Sequence, residues 1–123
     1  MIKRSKKAAS RNRMILALDN AARQIVFERD GHRCVRCNSP DREVQWAHIL
    51  SRTHLCTRWN PDNALALCAG CHMFWHNEPA LSVPWFIGLY RERWESITTI
   101  LRVNPKVIVK FKYKELLGEN KSS

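Results

Sequence analysis

Long apolar runs are missing from this chain. None approaches the ~18 residues that a bilayer-spanning helix needs, which predicts no helical membrane anchor. No apolar core or small-residue cleavage site follows the basic N-terminus, so no secretory signal is read and an intracellular, cytoplasmic protein is expected. No internal repeat is visible, which argues against a solenoid. Acids are scarce: 11 stand against 21 lysines and arginines, for a net charge of +10. The plain reading of that balance is a well-solvated surface. The sharper one is an anionic polymer as partner, because each neutralised phosphate releases counterions. The shortage is greatest over residues 3–13, where Lys3, Arg4, Lys6, Lys7, Arg11 and Arg13 meet no acid. This uneven distribution favours the sharper reading, with residues 1–13 as a mobile basic arm.

What remains, residues 14–123, fits one small domain with a core near 25–80 and a helical extension over 81–123. A domain this small buries limited apolar surface, so a metal staple would matter to its stability. Ile15, Leu18, Ala22, Ile25 and Val26 recur at helical spacing and predict a helix from Met14 to Asp30, ended by Gly31. Glu43 to Leu50 alternates, with Val44, Trp46, His48 and Leu50 on one face, and reads as a strand. A twelve-residue loop, Ser51 to Asp62, leads to a second apolar segment, Asn63 to Leu67. The pattern then turns helical through His76. Strand, long loop, strand and helix make a ββα unit within an α+β fold. A further helix is expected from Ser82 as N-cap to Asn104-Pro105, with Pro84 in its first turn and Leu81 stapled to Phe86. Its aromatics are read as packing. Val109, Phe111 and Tyr113 alternate with lysines and suggest an extended piece before a helical turn.

Two CxxC pairs, Cys34/Cys37 and Cys68/Cys71, are separated by thirty residues. In a reducing compartment such pairs bind metal more often than they form disulfides. Two thiolates on each of two knuckles can close a tetrahedral zinc site with bonds of ~2.3 Å. The alternative is four small buried hydrophobes. A closed four-thiolate site has no open position, so its zinc would be structural. Cys56 is left over as a loop or core thiol.

The histidines supply a second pattern. His72 and His76 are four apart and share one helical face, where two imidazoles can hold one divalent ion. Cys71 directly precedes His72, so a zinc-held knuckle would fix where both rings point. His48 lies on the first strand; opposite a metal it is a candidate general base, and otherwise a half-buried polar group. Asn63 can bond a backbone carbonyl across the loop, orient His48, or serve turn chemistry. His54 reads as solvent- or phosphate-facing, and His32 as surface.

The set Cys34-Val-Arg-Cys37, Ala47-His48-Ile49, Asn63 and Cys68 to His76 resembles the HNH endonucleases, the ββα-metal nucleases. Ser51-Arg52, Thr57-Arg58-Trp59 and the Cys68–His72 spacing are similar to the zinc-bearing HNH proteins of bacteriophages, including the NinG-like recombination proteins. The resemblance covers about residues 25–80. It implies a metal-dependent endonuclease that nicks or cuts DNA. His48 would activate water, His72 and His76 would hold Mg²⁺ or Mn²⁺, and Asn63 would brace the loop. The ion would stabilise the departing 3′ oxygen and leave a 5′ phosphate. Many family members place Asp or His immediately before the base; here Ala47 stands there, with His54 or Asp62 as possible substitutes. Arg52, Arg58 and the basic arm are expected to clamp phosphates without reading sequence. Trp59 stacks on a base or packs under the loop. The competing reading is a non-catalytic, zinc-stabilised module that binds nucleic acid. A transcription regulator is weaker, since no recognition helix stands out.

Overall fold

Nothing between Lys6 and Met14 breaks a helix, and Ala8, Ala9 and the long basic side chains all favour one. In the computed structural model, which describes residues 6–118, helix α1 runs Lys6–Arg29. The expected basic arm is thus helical from Lys6 onward. A run of like charge had suggested mobility, whereas charges on the solvent side leave a helix intact. Lys3 and Arg4 lie outside the described residues. Leu18, Ala22 and Val26 form the buried stripe of α1, while Ile25, expected on it, is exposed.

Strands β1 (Val44–His48) and β2 (Ala64–Cys68) pair antiparallel, with Val44 opposite Cys68 and His48 opposite Ala64. Helix α3 (Ala69–Asn77) follows directly from β2. The architecture is α+β, and the hairpin is its only sheet among the described residues. Both α1 and α3 pack on the hairpin. Every residue of β2 is therefore buried, and β1 departs from simple alternation: Ala47, His48 and Ile49 are buried in succession. One core cluster joins Ala47, Ile49, Leu65 and Leu67 to Trp75, Phe86 and Ile97; a second joins Leu18 and Ala22 to Trp59 and Val109.

The connection between the strands is more ordered than a bare loop. It holds a short helix α2 (Leu55–Arg58) and a 3-10 turn, Pro61–Asn63, opened by Asn60, whose side chain accepts from the Asp62 N–H at 2.9 Å. Burial of Cys56, Thr57 and Trp59 anchors it. A bidentate ion pair ties it to α1: Arg58 Nε and Nη2 donate to the Asp19 carboxylate at 2.9 and 2.7 Å, and Trp59 Nε1 donates to the same carboxylate at 2.7 Å.

Beyond α3 the expected single helix is two, α4 (Pro79–Leu89) and α5 (Arg91–Val103), broken at Tyr90 with φ −132° and ψ 48°. Pro79, not Ser82, opens α4. Ser82 sits one turn inside, where its buried hydroxyl donates to the Trp75 carbonyl at 3.0 Å and so clips α4 to α3. Leu81 is exposed and makes no staple. Phe86 and Ile97 are fully buried, in line with packing roles. Residues Val109–Tyr113 form helix α6 rather than an extended piece, followed by a wide turn, Lys114–Gly118. Of the alternating set, Val109 is buried and Phe111 exposed, so the alternation marked no sheet face. Among the described residues, no helix is long and apolar enough to cross a membrane.

Candidate functional site

The two CxxC knuckles meet. Left-handed backbone at Gly31, His32 and Asn38 (φ 72°, 56° and 60°) turns the chain sharply on either side of Cys34. The Val35 N–H then bonds the Ala66 carbonyl at 3.0 Å, which seats this knuckle on β2. Cys68 ends β2 and caps α3, and Cys71 lies on the first turn of that helix. The four sulfurs of Cys34, Cys37, Cys68 and Cys71 lie within 4.8 Å of one another, and Cys37 and Cys68 are 3.8 Å apart. A tetrahedron of ~2.3 Å Zn–S bonds has edges of about 3.8 Å, so the cluster can hold an ion such as zinc.

Three of the thiols differ in acidity. The Cys71 backbone N–H, with neighbouring side chains, draws Cys68 down to about 6. Burial pushes Cys71 up to about 12. Burial also raises Cys34, but backbone N–H groups of Cys37, Cys68 and Arg36 outweigh it and leave that thiol below its ordinary value. A divalent ion on four thiolates leaves a double negative charge. Arg36 donates to Cys71 Sγ at 3.4 Å while its guanidinium lies 3.6 Å from the Phe74 ring centre, and Arg42 approaches Cys68 Sγ at 4.0 Å. Nothing in the sequence signals either role, although Arg36 lies inside the first CxxC and Arg42 follows it by five residues. Cys56 is buried on α2, away from the cluster.

One turn beyond Cys71, the imidazoles converge. His72 and His76 on α3 bring their Nε2 atoms to 3.1 Å. Two nitrogens bound at ~2.1 Å and a right angle would stand about 3.0 Å apart, so the pair has the spacing of adjacent ligands on one ion. Gln45 on β1 fixes the tautomer: its Oε1 accepts from His72 Nδ1 at 2.7 Å, which leaves His72 Nε2 as a bare lone pair. Gln45 was missed in the sequence because nothing local distinguishes it from any exposed strand amide. Burial, then the nearby His76, lowers the proton affinity of His72 and keeps the ring neutral.

His48 lies at the end of β1, with Nε2 at 3.0 Å from the Arg58 carbonyl. A carbonyl only accepts, so Nε2 carries the hydrogen and Nδ1 is the free base. Burial lowers the pKa of His48; the Arg58 carbonyl opposes this, and the Arg58 and Arg52 charges add to it. His48, His72 and His76 line one cavity of about 570 Å³, with Arg52 and Ser51 on its wall and Trp46, Ile49 and Trp75 beneath. Ala47 is fully buried, and neither His54 nor Asp62 lines this cavity. Among the described residues, no third histidine, cysteine or carboxylate completes a metal-ligand set with His72 and His76.

Asn63 is fully buried and clamps the strand end across the connection. Its Oδ1 accepts from the Leu50 N–H at 2.7 Å and its Nδ2 donates to the Leu50 carbonyl at 3.1 Å. Of the alternatives open in the sequence, bonding to backbone across the loop is the one observed. Asn63→Ala is expected to lower stability by about 3 kcal/mol, since it strands both polar groups of Leu50; a urea melt with an unchanged midpoint would refute this.

Arg58 departs from its expected role. Its guanidinium is taken up by Asp19, so it is a brace and not a free phosphate contact. Trp59 is buried beneath it, which removes it as a stacking platform. Asp19 is the first acid in the chain, and nothing local to it points to Arg58. Arg52 is exposed at the cavity. Lys6, Lys7, Arg11 and Arg13 are exposed on α1, and Lys7 and Arg11 border a different groove. Compared with known protein families, curated proteins and solved structures, the chain has no match.

Proposed function

We infer that this protein is a metal-dependent endonuclease that hydrolyses DNA phosphodiester bonds, with β1, β2 and α3 as a ββα nuclease core. The observation that carries this reading is the convergence of His48, His72 and His76 on one cavity. In this reading His48 Nδ1 takes a proton from the attacking water, while the Arg58 carbonyl holds the ring's other nitrogen. His72 and His76 hold a divalent cation such as Mg²⁺ or Mn²⁺, and Gln45 keeps His72 in its ligating tautomer. When bound, that cation neutralises charge on the scissile phosphate and on the departing 3′ oxygen. Arg52 contacts a flanking phosphate, and the exposed cations Lys6 and Arg13 extend the basic surface. With only two protein ligands, affinity for the cation would be weak without substrate oxygens. Zinc in the four-thiolate cluster is structural, because all its positions are filled by the chain.

Supercoiled plasmid nicking, run with Mg²⁺, Mn²⁺, Ni²⁺ and no added ion, tests this. Cleavage that appears with a divalent ion and vanishes on chelation is expected. Salt-dependent DNA binding without cleavage in any ion would replace the reading with a non-catalytic, zinc-stabilised nucleic-acid module. The buried Ala47, which offers no further ligand, favours that second reading.

Gln45 offers a narrower check. Gln45→Leu is expected to weaken Mn²⁺ binding by roughly 10- to 100-fold, whereas Gln45→Glu, which keeps an acceptor, retains most of it. Equal Mn²⁺ affinity in the leucine variant and wild type, read by electron paramagnetic resonance, would remove Gln45 from the site.

A further inference from the structure

A second groove, of about 870 Å³, runs between the first turns of α1 and helix α6 and shares no residue with the histidine cavity. Its floor is apolar. Met14 prolongs the buried stripe of Leu18, Ala22 and Val26 into it, and Ile108 and Tyr113 close the other side. Ile108 is 61% exposed, an unusual state for an isoleucine set between two helices. The rim is cationic on both sides. Lys7 and Arg11 stand four apart on α1, and Lys110 and Lys114 stand four apart on the closing helical segment. Each pair spans about 6 Å along its helix, and among the described residues no acid lines the groove. Like charges at this spacing repel, and among the described residues none of the four forms an ion pair that would relieve it.

We propose that this groove docks an acidic amphipathic helix from a partner protein. An apolar ridge on the partner seats on Met14, Ile108 and Tyr113, and Asp or Glu on either flank of that ridge meets the two cationic rails. This is the helix-in-groove mode of recognition with charge complementarity added. A duplex nucleic acid matches the rails but has no apolar ridge to cover the floor. A second copy is disfavoured because each chain carries a net charge of +10.

The test uses the full chain and a fluorescein-labelled synthetic helix with a leucine ridge flanked by glutamates. The same composition in scrambled order is the control. Saturable binding of the ordered peptide is expected, with amide shifts at Ile108, Lys110, Tyr113 and Lys114. The Lys110→Glu/Lys114→Glu pair and, separately, Ile108→Asp are each expected to weaken binding by about tenfold or more. All three side chains are exposed, and unchanged amide shifts around His48 would verify that the variants fold. Equal binding of the scrambled peptide, or variants that bind like wild type, would overturn the proposal. It would also fall if short duplex DNA or phosphatidylglycerol vesicles shifted these amides while the ordered peptide did not.

Discussion

Cys34→Ser is expected to leave the hairpin and α3 without a stable fold. Zinc binding to a four-thiolate cluster contributes on the order of 10 kcal/mol of folding free energy. A domain of this size has a total stability of roughly 5–15 kcal/mol, so one lost ligand removes most of the margin. Cys34 is fully buried and lies on a knuckle hydrogen-bonded to β2, so the damage spreads through the same core that holds Leu65 and Leu67. Circular dichroism and amide spectra should show the loss in the variant, and chelation of wild type should reproduce it. Zinc should titrate at one equivalent per chain in wild type. A variant with a native spectrum and melting temperature would show that the thiols only pack.

Under the proposed nuclease reading, His48→Ala is expected to lower the cleavage rate by roughly 10²- to 10⁴-fold, the usual worth of a positioned general base. Zinc content should stay close to wild type, while the melting transition should fall modestly, since the buried ring packs on Trp46 and bonds the Arg58 carbonyl. The pH profile carries the sign. Burial, helped by the Arg58 and Arg52 charges, holds the imidazole below its ordinary 6.5, so the base is neutral at pH 7 and activity should fall only as pH drops through a value under 6.5. Arg52→Ala removes one of those charges and should move this acidic limb upward while also weakening DNA binding. Wild type and His48→Ala protein that cut equally would assign the base elsewhere.

Much of this was legible in the sequence because the signals were short-range. The CxxC spacing dictated the sulfur cluster, and an i, i+4 pair on a helix dictated that His72 and His76 would meet. The strand–strand–helix order followed from apolar segments next to strong turn residues. The long-range pairings were not legible. Gln45 reaches His72, Asp19 reaches Arg58, and the Arg58 carbonyl reaches His48 only after the chain has folded. Two departures share a cause: charge in the lysine-rich start and alternation in the Val109–Tyr113 stretch point away from a helix, yet neither segment contains a residue that forbids one. The break at Tyr90 was hidden because the aromatics on either side kept a helical period.

The Asp19–Arg58 clamp has a consequence for acid. Burial of Asp19 works against its charge, but the hydrogen bonds from Arg58 and Trp59 win and hold the carboxyl below 3.8. A carboxylate depressed in this way lends its stability above the unfolded value and gives it up only as pH falls through the lower folded one. Mild acid therefore leaves α1 strapped to the Arg58–Trp59 segment, and a loss of structure on acidification is expected to begin at the thiolate cluster, whose ligands hold an ion only while deprotonated.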